Sequence, residues 1–111
     1  MGSVFDLRRV DGGGSPTILL SGEIDFSNAA QIARALKGSV SNMDNELVLD
    51  LSGVSYVDSA GIKVMFELAR SLRDHQQRLV LVVPEGSGVR RSLTFGGLLH
   101  AVEVVEHPPA G

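Results

Sequence analysis

The fold is decided by residues 47–72, which read LVLDLSGVSYVDSAGIKVMFELARSL. Positions 47–51 form a short apolar run, typical of a strand that is covered on both faces. After a connection over 52–57, the apolar side chains fall on one helical stripe made by Ile62, Met65, Phe66, Ala69 and Leu72. A buried strand followed by an amphipathic helix predicts an α/β protein.

The residues before this stretch predict two strands and a helix. Residues 4–10 alternate loosely between apolar and polar, residues 17–20 are apolar, and the glycine-rich turn 11–16 joins them as an antiparallel hairpin. Apolar residues then recur every four positions over a helix from about Ser27 to Ser39. Ser27 or Asp25 is the expected N-cap of that helix.

The residues after the central stretch complete the sheet. They predict a strand over 79–83, a helix from about 87 to 95 that ends at Gly96-Gly97, and a last strand over 101–105. The predicted order is β-β-α-β-α-β-α-β, in which strand-helix-strand units make parallel neighbours with right-handed crossovers. The hairpin makes the sheet mixed, and three helices for five strands leave one face less covered.

Size and composition predict one folded domain. The 111 residues are 43% apolar, which is enough for a single packed core. We expect the domain to cover residues 1–111, with its core at about 4–105 and a flexible tail over 106–111.

Charge and cysteine content exclude several classes of function. The net charge is −3, and acidic and basic residues are mixed along the chain. The chain therefore lacks the basic patch of nucleic-acid-binding proteins, and no nucleic-acid partner is expected. The absence of cysteine excludes disulfides and thiolate chemistry. Neither a signal peptide nor an apolar run of ~20 residues occurs, so no membrane partner is expected and the cytoplasm is the expected compartment.

The motif Asp58-Ser59-Ala60-Gly61 stands where the amphipathic helix begins. In one interpretation Ser59 is only the N-cap, and its hydroxyl accepts a hydrogen bond from the amide of Gly61 or Ile62. In the other, the same hydroxyl is a modification site, because a helix N-terminus tolerates added negative charge and small neighbours leave room for a partner. The residues alone leave both interpretations open.

Three acidic residues, Glu23, Asp25 and Asp58, are expected to meet near Ser59 if the loops after two adjacent strands converge. Such acids position a hydroxyl, order a loop or bind a metal ion, and solvated loop acids are the commonest case. No histidine or tight ligand cluster accompanies them, so neither a metal nor a cofactor is expected.

A serine hydrolase is the enzyme class that most resembles this arrangement. Its nucleophile elbow requires glycine two residues before the serine, where this chain has Val57. The histidines, His75, His100 and His107, are expected at the surface or the terminus, so none is a good triad partner. The chain is therefore expected to bind and not to catalyse.

Three motifs occur in order along the chain. They are Gly22-Glu23-Ile24-Asp25, the run 47–62 with Asp58-Ser59-Ala60-Gly61 at its end, and the pair Val89-Arg90-Arg91-Ser92-Leu93 and Gly96-Gly97-Leu98. Together they resemble the signature of the STAS domain, the anti-sigma factor antagonist family, and the resemblance runs from about Val4 to Val105. It implies a mixed sheet of about five strands with helices packed mainly on one face.

The resemblance also implies a function. In bacterial members of the family, the serine after the aspartate is phosphorylated by a partner that is both anti-sigma factor and serine kinase. The unphosphorylated protein binds that kinase and releases its sigma factor, phosphorylation at Ser59 switches binding off, and a phosphatase restores it. The implied partner-binding residues are Asp25, Ser27, Asp58, Ser59, Ala60, Gly61, Ile62 and Lys63.

The chain departs from the family pattern at two positions. Ala60 stands where a second Ser or Thr is common, which leaves Ser59 as the only hydroxyl of the motif. Lys63 stands where glycine is usual and is expected to alter the contact with the partner. Related domains also serve in transporters, lipid-transport complexes and stress-signalling assemblies, some of them without phosphorylation, so a scaffold or accessory subunit is the alternative function.

Overall fold

A computed structural model describes residues 2–12 and 14–109, in which five strands form one mixed sheet. The strands are β1 (Phe5–Val10), β2 (Thr17–Ile24), β3 (Glu46–Val57), β4 (Arg78–Val82) and β5 (Glu103–Val105). The helices are α1 (Ala29–Ser39), α2 (Ser59–Asp74), α3 (Arg90–Phe95) and α4 (Leu98–Ala101). The strands lie in sequence order, β1 antiparallel to β2 and every later neighbour parallel. The predicted α/β class, hairpin and mixed sheet are confirmed.

Met1, Gly13, Ala110 and Gly111 lie outside the described residues, and they include one position of the predicted glycine-rich turn and the end of the predicted tail. Residues 106–109 follow β5, and Pro109 lines a crevice with Thr17 and Val48. Within the described ranges, none of the helices has the length and apolarity needed to cross a bilayer.

The helices pack on one face of the sheet and enclose the main core. Successive residues of a strand point to opposite faces, so Leu47 and Leu49 face the helices while Val48 between them faces away. The main cluster takes the buried side chains of every helix, among them Ile32, Leu36, Met65, Leu68, Leu72, Leu93 and Leu98. Each fully buried side chain of this kind stabilises the fold by about 1.5–3 kcal/mol.

The opposite face carries a smaller cluster, which consists of Val48, Val80 and Val82 with Val105 packed against them. The prediction that the helices lie mainly on one face is therefore confirmed.

Strand β3 continues to Val57, so the prediction of a connection over 52–57 is wrong. Beyond Asp50, which pairs with Val82 of β4, strand β3 pairs with β2 alone. Strand β3 has one more residue than β2 between Leu19 and Ser21 and again between Gly22 and Glu23, and these irregularities interrupt the strict alternation of buried and exposed positions along β3. The polar residues of this two-stranded extension lie in solvent, which makes its sequence resemble a loop.

Three element boundaries also differ from the predictions. Helix α1 begins at Ala29 with Asn28 as its N-cap, so neither Ser27 nor Asp25 holds that position. The predicted helix over about 87–95 begins only at Arg90. After it, the chain forms the additional short helix α4 before β5, which shortens the predicted strand 101–105.

The candidate site lies at the C-terminal ends of β2 and β3. Ile24 and Val57 are partners in the parallel register and are the last residues of the two strands. Gly61, in the first turn of α2, lies so close to them that an added Cβ would stand 2.7 Å from a methyl group of each. The start of α2 therefore packs directly on both strand ends, beside the loop 25–28 that follows β2.

Candidate functional site

Ser59 is the first residue of α2, and its side chain is exposed. Its hydroxyl makes no hydrogen bond within residues 2–12 and 14–109. The interpretation of Ser59 as the N-cap is therefore wrong, because its backbone is already helical while the preceding residue is extended, with φ −104° and ψ −173°. The hydroxyl is free for other use.

Asp58 is the N-cap of α2. Its Oδ1 accepts hydrogen bonds from the backbone N–H groups of Ala60 at 2.9 Å and Gly61 at 3.1 Å. Its Oδ2 accepts from the backbone N–H of Phe26 at 3.0 Å. One carboxylate thus caps the helix and fastens the loop 25–28 to it.

Asp25, which is itself part of the loop 25–28, also fixes the conformation of that loop. Its carboxylate accepts from the backbone N–H of Ser27 at 2.9 Å, from the Ser27 hydroxyl at 2.5 Å, and from the hydroxyl of Ser3. The hydrogen bond from the Ser27 hydroxyl, followed by that from Ser3, holds the pKa of Asp25 below its usual range. The group is therefore ionised at neutral pH.

Asn28 is a structural residue that sequence reasoning missed. Its side chain is only 4% exposed. Its Nδ2 donates to the carbonyl oxygens of Glu23 at 2.8 Å and Ser3 at 3.2 Å, and its Oδ1 accepts from the N–H of Asp25 at 3.0 Å. The signal in the sequence is an asparagine three residues after the aspartate of a strand end, which is typical of a turn.

Two exposed apolar features belong to the segments that Asp58 joins. Phe26, in the loop 25–28, is 87% exposed although its backbone is held by Asp58. An open groove of about 450 Å³ runs along α2, lined by Ser59, Ile62, Lys63, Phe66, Glu67, Arg70 and Gly96. Phe26, Phe66, Arg70 and Gly96 were not among the site residues predicted from the sequence; an apolar residue between Asp25 and Ser27 in a polar loop was the available signal for Phe26.

The structure brings most of the sequence-predicted residues together. Asp25 and Ser27 lie in the loop 25–28, which Asp58 joins to the start of α2. Ile62 and Lys63 line the groove beside Ser59, and Ala60 lies half-buried in the first turn. Gly61 is buried against β2 and β3, which gives it a packing role.

The acidic residues order the loop, which is one of the three roles considered for them. The carboxylate oxygens of Asp25 and Asp58 accept hydrogen bonds from backbone N–H groups, and those of Asp25 also accept from hydroxyls. Glu23 is exposed. Within residues 2–12 and 14–109, no group of three His, Cys, Asp or Glu side chains is arranged to hold a metal ion.

Comparison with known proteins places the chain among regulators. A family model described as the STAS domain matches residues 9–108. The anti-sigma-F factor antagonist RsfB of Mycobacterium tuberculosis is 34% identical over 88 residues, which are 79% of this chain and 70% of that relative. The protein BtrV of Bordetella bronchiseptica is 37% identical over 62 residues, which are 56% of this chain and only 53% of that relative.

Two solved structures have the same fold. An anti-sigma factor antagonist from Mycobacterium paratuberculosis has a TM-score of 0.78 and 25% identity, over 94% of this chain and 87% of that one. The antagonist SpoIIAA in its unphosphorylated form has a TM-score of 0.70 and 22% identity, over 94% of this chain and 90% of that one. The expectation of a binding protein agrees with these relatives, which are named as antagonists of anti-sigma factors. The match over residues 9–108 and the relative from M. tuberculosis show that the chain belongs to the STAS domain family.

Proposed function

We propose that this STAS domain is an anti-sigma factor antagonist of the bacterial cytoplasm, switched by phosphorylation of Ser59. The unphosphorylated form binds an anti-sigma factor that is also a serine kinase, and this binding releases the sigma factor for transcription. Phosphorylation ends the binding, and a phosphatase restores it. The observation that carries the proposal is the exposed Ser59 hydroxyl, which is free because Asp58 caps the helix.

The surface around Ser59 supports a protein partner. A partner that covers the hydroxyl meets the exposed ring of Phe26 and the groove along α2. We call the loop 25–28, Ser59 and this groove the docking surface. Its apolar side chains provide contact area, and aromatic anchors of this kind dominate the binding energy of many protein interfaces.

The loop half of the docking surface is held in place before binding. Asp58, Asp25 and Asn28 fix the backbone of the loop through the hydrogen bonds described above. A preorganised loop loses little conformational entropy when a partner binds, so more of the contact energy is available for affinity.

The chain contributes only the acceptor to phosphoryl transfer. Oγ of Ser59 forms a bond to the γ-phosphorus of a nucleoside triphosphate held by the kinase, the nucleoside diphosphate leaves, and the hydroxyl proton passes to a base of the kinase. The product carries ≈ −1.5 to −2 charges. These lie next to Asp58 and near the ionised Asp25, so a closely fitted or acidic partner surface is repelled.

The test is a binding and phosphorylation assay against anti-sigma factor kinases of the same genome. We expect Ser59→Ala to bind without accepting phosphate and Ser59→Asp to bind poorly. Ser52→Ala, which removes another exposed serine hydroxyl outside the docking surface, is the matched control and should bind and be phosphorylated as the wild type. Equal binding by all variants with no phosphate transfer would favour the alternative, a scaffold or accessory subunit of a transport or stress-signalling complex.

A further inference from the structure

Most of the amide groups at the start of α2 are already occupied. The first four N–H groups of a helix have no partner within the helix, and they are the usual ligands of an anion at that position. Here the N–H of Asp58 donates to the carbonyl of Ile24 at 3.1 Å, and those of Ala60 and Gly61 donate to Asp58 Oδ1. Within residues 2–12 and 14–109 this leaves the N–H of Ser59 itself, so a phosphate on Ser59 finds one amide at the helix terminus and its other oxygens need a different partner.

Acidic groups surround that position on the loop side. Asp58 precedes Ser59 directly, and the carboxylate of Asp25 lies in the loop that Asp58 tethers. On α2 itself, Glu67 follows two turns later along the groove. The phosphate is thus repelled from the loop side and is drawn toward a cation elsewhere.

Lys63 is that cation. It follows Ser59 by four residues on α2, a spacing that places the two Cβ atoms about 5–6 Å apart on one face of the helix. Both residues line the same groove, and Lys63 is exposed. Within residues 2–12 and 14–109 the ion pairs involve Arg9 and Arg78, and Lys63 is in none of them. Glu67 follows Lys63 at the same spacing, but a phosphate with ≈ −1.5 to −2 charges attracts Lys63 more strongly than that single carboxylate does.

We propose that Lys63 pairs with the phosphate of phosphorylated Ser59 and draws it over the groove, away from Asp25 and Asp58. The inference rests on the proposed phosphorylation of Ser59. Lys63 is a positioning residue in this account. It stabilises the phosphorylated form and places the phosphate above Ile62, where it covers the apolar part of the docking surface. The switch then acts by covering this surface as well as by repelling the partner.

The experiment measures the phosphate directly. Phosphoserine is installed at position 59 during translation by an expanded genetic code, so no kinase is needed, and the second pKa of the phosphate is followed by phosphorus NMR. We expect that pKa to be higher in Lys63→Gln than in the wild type by on the order of 0.3 of a pH unit, because the dianion loses its partner. Lys63→Arg should keep the wild-type value, and ~1 M salt should remove the difference.

Arg73→Gln is the matched control, since it removes one positive charge from the same helix about 21 Å from Ser59 along the axis. Its phosphate should titrate as in the wild type. The proposal is overturned if Lys63→Gln titrates as the wild type, or if Arg73→Gln shifts the pKa equally. The kinase assay can fail without affecting this measurement, so failure of the pairing and failure of the proposed function are distinguishable.

Discussion

The carboxylate of Asp58 accepts the backbone N–H of Phe26 at 3.0 Å while its other oxygen caps α2. The side chain of Asp58 therefore joins the loop 25–28 to the start of α2, where Ser59 lies exposed. The motif aspartate and the motif serine have separate tasks: the first builds the site and the second remains available for modification.

Asp58→Ala should destabilise the protein and loosen the loop. The variant loses the cap of α2 and the tether to Phe26 together, so the free energy of unfolding should fall by about 1–2 kcal/mol. Urea denaturation measures the loss, and hydrogen exchange of the Phe26 amide should become faster. Glu85→Ala, at an exposed loop position, should leave both unchanged. An unaltered Phe26 exchange rate in Asp58→Ala would contradict the tether.

Asn28→Ala should destabilise the protein although it removes a polar group. The buried amide satisfies two carbonyl oxygens and one N–H, and the loss leaves them without protein partners. We expect the free energy of unfolding to decrease by about 1–3 kcal/mol in urea denaturation. Ser41→Ala in the exposed loop after α1 should have a smaller effect, and the opposite ranking would contradict the role of Asn28.

Gly61→Ala and Gly38→Ala should have opposite effects. A Cβ at position 61 would lie 2.7 Å from methyl groups of Ile24 and Val57, so the helix must shift, at a loss of about 1–3 kcal/mol. At position 38, in the last turn of α1, the added Cβ would meet no atom within 4 Å from outside that helical turn among the described residues, and alanine should stabilise by up to about 1 kcal/mol. Thermal melting of both variants gives the comparison. A stabilising Gly61→Ala would mean that α2 does not rest on the strand ends.

The contribution of Asp25 to stability should depend on pH. Its folded-state pKa is lowered, chiefly by the Ser27 hydroxyl, below the ordinary value of about 3.9. The ionised group therefore stabilises the fold above that ordinary pKa, and the stabilisation is lost as the pH falls from there through the folded-state pKa. In urea denaturation from about pH 6 to pH 3, the free energies of unfolding of the wild type and Asp25→Asn should become equal in acid. Ser27→Ala should reduce the difference between them at pH 6. A difference that stays constant with pH would contradict the stabilising role of the ionised Asp25.

Phe26→Ala should weaken binding to the anti-sigma factor kinase without altering stability. The ring is 87% exposed, so the fold does not depend on it, whereas the docking surface loses an aromatic anchor. We expect affinity to fall at least about 5-fold in calorimetry. Met43→Ala is the matched control, because Met43 is also 87% exposed but lies in the loop between α1 and β3. Equal affinities for the two variants would remove Phe26 from the docking surface.

Periodicity predicted the fold well, because the apolar residues of β3 and β4 and the stripe of α2 pack into the main core or into the smaller cluster on the opposite face of the sheet. The same signal failed over 52–57, where β3 has only one neighbouring strand and polar residues reach solvent on both faces. Element ends were also misplaced, since Ser27, Asn28 and Asp25 are all good caps and tertiary hydrogen bonds decide among them.

The candidate site was predicted in part for similar reasons. Ser59 and Asp58 were both identified, but Asp and Ser cap helices equally well, so the residue types alone could not assign the cap. Asn28 was missed because one of its partners, the carbonyl of Ser3, comes from a segment 25 residues away, and the bonds to Glu23 and Asp25 depend on the conformation of the loop. Phe26 was missed because an apolar residue in a polar loop can be buried or exposed, and its exposure depends on the backbone that Asp58 holds.

The central claim is that phosphate on Ser59 switches partner binding, and one affinity ratio tests it most directly. Isothermal titration calorimetry of the anti-sigma factor kinase compares unmodified protein with protein that carries phosphoserine at position 59. We predict that phosphorylation raises Kd roughly 5–150-fold, the range of a coupling of ~1–3 kcal/mol. The same Kd for both forms, with the unmodified protein binding the kinase, would contradict the switch.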